Sequence, residues 1–398
     1  MSMTTTPPAR TNYLLTFARV FTGLLFIFSG LIKANDPTGF GYKLEEYFLV
    51  FGTQFLNDYA VMMAITICGL EILLGALLLL GFWKRTVAWG LLLLILFFTF
   101  LTFYSAFFEV VTSCGCFGDA IPLTPWQSFG KDLVLLALIL IIFFNREAIR
   151  PIIASKSTQV FVTAILIIVS VGIGIYTVNY LPFIDFLPYK KGNNLPALMT
   201  LPEGEVGDQY DIIYTLRHKT SGEEKEVSDK VYLADELWKD ESWEIVGDPE
   251  SKLVKKGYQV PIPDLLISDA NGEDVTQQLI ENPYYNIVVV AWNLDQTNLE
   301  ALHRINELVT EIAGTYNNIR MILLTASGTQ QAEQISRETH LLTEIFYADA
   351  VPLKSMVRAN PGVLLLRNGV VIDKWHHNTL PDFNTLDNRY FRKAYQND

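Results

Sequence analysis

The sequence predicts an α-helical membrane bundle followed by an extracytoplasmic β-rich segment and an α/β domain. Three observations predict it. Long apolar runs crowd the first 178 residues, whereas the chain from Leu181 onward has the composition of ordinary soluble protein. Charge divides at the same place: residues 1–160 hold ten of the 30 Lys/Arg and nine of the 42 Asp/Glu, so the whole of the net charge of −12 falls in the remainder. From about Pro261, strand-like runs alternate with amphipathic ones, the pattern of an α/β sheet. The boundaries read this way are 1–150 for four spans, 151–180 for a fifth, 181–260 for the β-rich part and 261–398 for the α/β domain.

A spanning helix needs about 20 mostly apolar residues to cross about 30 Å of hydrocarbon. Tyr13–Ile32, Ala60–Trp83, Val87–Phe108 and Gln159–Val178 meet this directly. The fourth span has an unbroken apolar run of only 12 residues, Leu133–Phe144, and must begin near Pro125. That start submerges Lys131 and Asp132 by one or two turns. Basic residues flank the spans at Arg10, at Lys84-Arg85, and at Arg146, Arg150 and Lys156, all on one side if the N-terminus is cytoplasmic. Loops 33–59 and 109–130, and everything after 178, then lie outside the cytoplasm. Arg19 within the first run, and the length of that run, favour a retained span over a cleaved signal peptide.

All three cysteines belong to the membrane half. Cys114 and Cys116 sit in Ser-Cys-Gly-Cys-Phe-Gly-Asp on an expected extracytoplasmic loop, a compartment where thiols tend to be oxidised or to exchange. Extended residues two apart are separated by about 7 Å, and a bend at Gly115 can bring them toward the 5.5–6 Å of a disulfide. Such a bond is strained and easily reduced. The pair reads either as a redox-active couple or as a structural staple of the loop. No His lies in the membrane half to complete a metal site.

Glu71 falls at the centre of the second span, where a carboxylate costs roughly 3 kcal/mol and calls for a partner. Cys68, Glu71 and Gly75 lie within about 60° of one another on that helix. They read as a polar, thiol-containing pocket opening outward, or as a protonated Glu71 bonded across the bundle with Gly75 allowing close packing. Lys33, followed by Asn35-Asp36-Pro37 as a stop and turn, joins Asp119, Lys131 and Asp132 as further charges near the outer end. These are supporting site residues or interfacial anchors.

These residues resemble the DoxX/MauE group of bacterial membrane proteins, a four-helix membrane fold. The resemblance is carried by Arg19-Val-Phe-Thr-Gly with Ser29-Gly-Leu-Ile-Lys33, by Gly69-Leu-Glu71 with Gly75 and Leu80-Gly81, and by Cys114-Gly-Cys-Phe-Gly-Asp119 with Thr124-Pro-Trp and Lys131-Asp132. The last piece is similar to the methylamine-utilisation MauE branch. The match covers about residues 12–148. It implies maturation of a disulfide-rich dehydrogenase subunit on the MauE side, and thiosulfate–quinone electron transfer on the DoxX side. A quinone is thus the one cofactor the resemblance raises, and no cofactor motif is evident in the chain itself.

In the soluble half, Tyr210–His218, Trp243–Val246 and Tyr258–Val260 read as short strands around a charged turn at Ser221. Beyond Pro261 the order is strand Ile287–Trp292, helix Asn298–Ala313, strand Ile319–Thr325, helix Gln330–Thr339, and a hairpin of Val363–Arg367 and Val370–Lys374 across Asn368-Gly369. This order resembles a thioredoxin-like fold, with Asn360-Pro361 in the place of that family's cis-proline. Where a thioredoxin carries Cys-x-x-Cys, this chain has Asn293-Leu-Asp-Gln-Thr-Asn298, and no cysteine follows residue 116. Without a thiolate the domain cannot exchange disulfides. It is expected to bind rather than catalyse, and His376 and His377 are expected to be a solvated surface pair.

The expectation is a multi-pass protein of a bacterial inner membrane, with its C-terminal domain in the periplasm. It would act as an accessory of redox-linked protein maturation, with Cys114, Cys116 and Glu71 as candidate catalytic residues. Cys68, Lys33, Asp119, Lys131 and Asp132 would support them. Its partners would be the bilayer and a periplasmic protein; the acidity argues against nucleic acid. The alternatives are a non-redox membrane scaffold and a subunit of a quinone-linked oxidoreductase.

Overall fold

The computed structural model describes residues 13–111, 115 and 117–395. Six helices build the membrane half: α1 (Tyr13–Asn35), α2 (Pro37–Val50), α3 (Ala60–Leu80), α4 (Lys84–Phe108), α5 (Pro125–Phe144) and α6 (Lys156–Tyr180). Five of them, all but α2, are long and apolar enough to cross a membrane. The expected spans are therefore borne out within a few residues. α5 starts at Pro125 because Thr124 and Gln127 cap one another reciprocally, at 3.3 and 3.0 Å, with proline at the first helical position.

α1 and α3 form the tightest pair, and glycines set their approach. A Cβ at Gly75 would stand 2.7 Å from the Gly23 carbonyl oxygen, and one at Gly30 3.0 Å from the Glu71 Cβ. In lipid no hydrophobic force draws helices together, so this close backbone contact supplies the packing. Arg19 extends to the last turn of α3 and donates to the Leu78 carbonyl at 2.8 Å and the Leu79 carbonyl at 2.5 Å. A cation there satisfies orphan carbonyls and the negative end of the helix dipole. At the same end, Lys84 pairs with Glu147 at 2.7 Å and Ile152 N–H bonds the Leu80 carbonyl.

α2 corrects the expectation of a plain turn after Lys33. Asp36-Pro37 stops α1, and the same two residues start a new helix: Asp36 is the N-cap, accepting from Gly39 N at 2.9 Å, and Pro37 opens the first turn. Phe40, Leu44 and Phe48 bury one face of α2 against Ala60, Ala64 and Cys68 of α3.

After α6, the segment containing α7 (Leu195–Met199) joins the α/β core, where Tyr189 and Leu195 are buried. This stretch was expected in the β-rich part. The next unit is a thin sheet in which β1 (Gln209–His218) pairs antiparallel with β2 (Glu224–Ser228), β3 (Trp243–Ile245) and β4 (Glu250–Lys255), with α8 (Asp229–Ala234) between β2 and β3. Of its strand residues only Leu216 is buried. Tyr258–Val260 is not a strand; β4 takes that role.

α9 (Thr276–Ile280) leads into a five-stranded sheet of β5 (Tyr285–Val290), β6 (Arg320–Thr325), β7 (Glu344–Tyr347), β8 (Gly362–Arg367) and β9 (Val370–His376), in the order β7-β6-β5-β8-β9. α10 (Leu299–Thr315) and α11 (Thr329–Thr339) make the parallel crossovers, and α12 (Ala350–Met356) precedes β8. β8 and β9 are antiparallel across Asn368-Gly369, both at positive φ, and Asn360-Pro361 is cis. A parallel β-α-β unit beside an antiparallel hairpin is the thioredoxin-like arrangement. The extra β7 and α12 were not expected, since four strand residues are too few for periodicity to register.

Candidate functional site

The charged residues of the bundle converge on one crevice. Lys33 near the end of α1 and Glu71 of α3 form an ion pair, both side chains almost wholly buried. The Lys33 ammonium also lies 4.5 Å from the Phe98 ring and 5.2 Å from that of Phe40, a second source of compensation for its charge. On α5, Asp132 accepts from Lys131 at 2.6 Å and from Thr102 Oγ1 of α4 at 3.0 Å. All four ionisable side chains line a crevice of about 20 Å3 together with Ser29, Phe98 and Phe117, room for about one water. Glu71 Oε2 is buried there with no hydrogen-bond partner among the described residues.

Cys68 does not belong to this crevice. It is fully buried in the apolar contact of α2 with α3, one turn along α3 from Glu71, and is not among the residues that line the crevice. The expected thiol-containing pocket is thus corrected: three residues along a helix separate two faces by about 60°, enough here to put Cys68 in packing and Glu71 in the crevice.

The second convergence lies where the soluble domain meets the bundle. Arg358, just after α12, is 7% exposed in its side chain and spends its whole guanidinium. Nη1 donates to the Lys354 carbonyl at 2.6 Å, Nε to Asp36 Oδ2 at 2.7 Å and Nη2 to Asp119 Oδ2 at 3.1 Å. Beside it, Lys354 pairs with Glu45 of α2 at 3.3 Å and lies over the rings of Tyr42 and Trp292, which meet edge to face. Burial opposes the Arg358 charge, but Asp36 and Asp119 outweigh it and hold its pKa above the usual value. Burial pushes the Asp119 carboxyl up, partly offset by Arg358.

These contacts roof a cavity of about 410 Å3. Its floor is α2, from Asp36 to Leu49; one wall is the turn containing Gly115, Gly118 and Asp119, and the other is Val351, Lys354, Ser355 and Arg358. Gly115 and Gly118 stand at φ of 65° and 51°, and Gly118 N–H bonds the Gly115 carbonyl at 3.1 Å. The bend expected at Gly115 is therefore present. Cys114 and Cys116, on either side of it, lie outside the described residues.

The edge of the thioredoxin-like domain that would carry its cysteines also faces the bundle. Trp292, Asn293, Gln296, Asn360 and His376 line an open cleft of about 560 Å3 against Tyr42, Asn57 and Asp58. Hydrogen bonds close this edge on itself: Asn360 Nδ2 donates to the Asn293 carbonyl at 2.7 Å and Thr297 Oγ1 to Asn360 Oδ1 at 2.9 Å. His376 corrects the expected solvated pair. It is 5% exposed and lies 4.0 Å from the ring of His377. Burial, then the neighbouring His377, pushes its pKa down to about 4.

Sequence reasoning identified Lys33, Glu71, Asp119, Lys131 and Asp132, and the structure groups the first two and last two around one crevice. It missed Asp36, Tyr42, Glu45, Lys354 and Arg358. The Asp36-Pro37 capping signature announces α2 and so the floor of the cavity. Nothing local marks Arg358, whose partners lie 239 and 322 residues away.

Residues 11–145 match the family described as methylamine utilisation protein MauE. Protein TlpB of Flavobacterium psychrophilum is 27% identical over 140 residues, covering 34% of this chain. The chain spans 38% of the length of that relative. A protein of Neisseria meningitidis described as a thioredoxin, solved in solution, overlaps 34% of this chain and 90% of its own length, at 14% identity and a TM-score of 0.27. The thioredoxin-like character of the α/β domain rests on its strand order, not on that overlap.

Proposed function

We propose that this protein, whose membrane half is MauE-like, handles thiol and disulfide chemistry in the maturation of proteins outside the cytoplasm, with Cys114 and Cys116 as the exchanging pair. One observation carries the reading. The residues that frame the two cysteines, Gly115, Gly118 and Asp119, form a wall of the 410 Å3 cavity between bundle and soluble domain. A loop that merely joined α4 to α5 would have no need of such an enclosure.

Exchange proceeds through a mixed disulfide. A client thiolate attacks one sulfur of the Cys114–Cys116 disulfide and releases the other as a thiolate; the second client thiolate then attacks the first client sulfur and expels the cysteine bound to it. The client leaves oxidised, and the pair is left as two thiols. A disulfide-bearing protein then takes the two electrons in the reverse exchange. Glu71 Oε2, buried beneath Phe117 without a partner among the described residues, is the acceptor this reading assigns to a proton released on the way.

The basic loops at Lys84 and Arg146 support a cytoplasmic N-terminus in a bacterial inner membrane, with the cavity on the periplasmic side. Methylamine utilisation is the setting the family description suggests. The soluble domain supplies the far wall of the cavity and so selects which protein partner reaches the loop. A quinone as final oxidant has less support: the crevice at membrane depth holds about 20 Å3, too little for a ring, and no step is routed through one.

Single Cys114→Ser and Cys116→Ser variants test the proposal in growing cells. One of them is expected to accumulate a reductant-sensitive adduct with an extracytoplasmic protein, and the double variant none. Absence of any adduct from both single variants would count against exchange with a protein client.

A further inference from the structure

We propose that Arg358 is a positioning residue for the cysteine loop, so that the thioredoxin-like domain, having no thiols, acts on its own chain as the clamp that holds the exchanging pair in place. The proposal rests on the reading of Cys114 and Cys116 given above, and it names what fixes them.

The geometry is specific to a fork. Arg358 Nη1 is tied to the carbonyl of Lys354 in the preceding helix, α12, which orients the guanidinium toward the bundle. The remaining edge then reaches two carboxylates on two separate elements, Asp36 at the start of α2 and Asp119 on the loop. A lysine could not span both, because its ammonium is a point charge on a flexible stem. The floor is shaped to admit the fork. A Cβ at Gly39 would sit 2.8 Å from Arg358 Nη2 and 2.4 Å from Asp36 Oδ2, so a larger residue there would displace the pair.

The loop is anchored in the bundle at Phe117, which is buried against Leu25, Ile32 and Leu123, and its Asp119 reaches out to the soluble domain. Gly115 and Gly118 both adopt left-handed backbone, a conformation that glycine reaches freely and leaves as freely. Asp119, the next residue, is where the soluble domain takes hold of it. Docking alone has other contacts to rely on, since Lys354 pairs with Glu45, and Asn378 Nδ2 donates to the Asn179 carbonyl at 3.1 Å. Of these docking contacts, the Arg358–Asp119 bond is the one made to the cysteine loop.

The test uses the full-length protein, reduced, in membranes or detergent. Alkylation rates of Cys114 and Cys116 are read by mass spectrometry at about pH 9.5, above the ordinary thiol range of about 8.5. There the rate reports access rather than ionisation. Arg358→Gln and Asp119→Asn are each expected to raise the rate about three- to tenfold, and the double variant no further than either single, the signature of coupled residues. Arg358→Lys should restore it only in part. Rates equal to wild type, or single effects that multiply in the double, would overturn the proposal. Should Arg358→Gln fail to fold, Asp119→Asn carries the test, since the Asp119 side chain is 48% exposed and tolerates the change. This outcome is separate from that of the exchange reading. A pair that never cycles in cells defeats the reading, whereas the coupling is measured on reduced protein and stands by itself.

Discussion

Replacing Glu71 by alanine is expected to cost the bundle about 3–5 kcal/mol, the usual penalty for stranding one member of a buried ion pair. Lys33 would keep its contacts with the Phe98 and Phe40 rings, which places the cost toward the lower end. It would have no other carboxylate in its ion pair, since Asp132 is held by Lys131 and Thr102. In detergent, the thermal midpoint should fall by roughly 5–15 °C. Lys33→Met combined with Glu71→Leu removes both charges and should recover most of the loss, because an apolar pair carries no desolvation cost. A single variant as stable as wild type would mean that the pair contributes nothing to the fold. A double variant worse than the single would mean that the two residues do not compensate one another.

A second large effect is expected at Gly75. The Cβ of any other residue there would stand 2.7 Å from the Gly23 carbonyl oxygen and 3.1 Å from Ile27 N, so the obstacle is backbone and cannot rotate away. Gly75→Ala should cost about 1–3 kcal/mol in spite of the better helix propensity of alanine. Gly75→Leu should prevent α1 and α3 from closing, and with them the Lys33–Glu71 pair. Gly172 on α6 is the control, with open space around its Cα, and Gly172→Ala should be neutral or slightly stabilising. Thermal stability and elution profile of the purified variants check both. Equal effects at the two positions would contradict the packing described.

The spans were legible because the bilayer imposes one simple demand, about 20 apolar residues, on each of them. The fourth was legible despite a short apolar run because a helix long enough to span and ending at Phe144 has to begin near Pro125. The charged site was legible for the same reason: in lipid, Lys33, Glu71 and Asp132 are costly enough to need partners. Which partner each takes was not, since pairing depends on where α1, α3, α4 and α5 cross. The Asp36-Pro37 step shows how a local signal can be read only halfway. It ends one helix and, through the same side chain and ring, begins the next. The junction with the soluble domain was illegible. Arg358 meets Asp36 and Asp119 across 322 and 239 residues of chain, and no periodicity or spacing records that.

The substitution of Asn293-Leu-Asp-Gln296 for a cysteine motif takes on a second meaning in the structure. The edge where a thioredoxin carries its thiols is here the edge turned toward the bundle, where Trp292 meets Tyr42 and Asn360 bonds Asn293. Gly115, Gly118 and Asp119, which neighbour Cys114 and Cys116 in sequence, line the cavity on the bundle side of that junction. Residues of the membrane half and of the soluble domain thus line the same cavities.

The measurement that tests the central claim most directly is acid-quench alkylation of growing cells, followed by mass spectrometry of the peptide that contains Cys114 and Cys116. The account predicts a mixture of thiol and disulfide whose proportions shift with growth conditions and relax after a pulse of reductant. A pair that stays fully reduced throughout, or a disulfide that never turns over, would contradict it and leave the loop with a structural role alone.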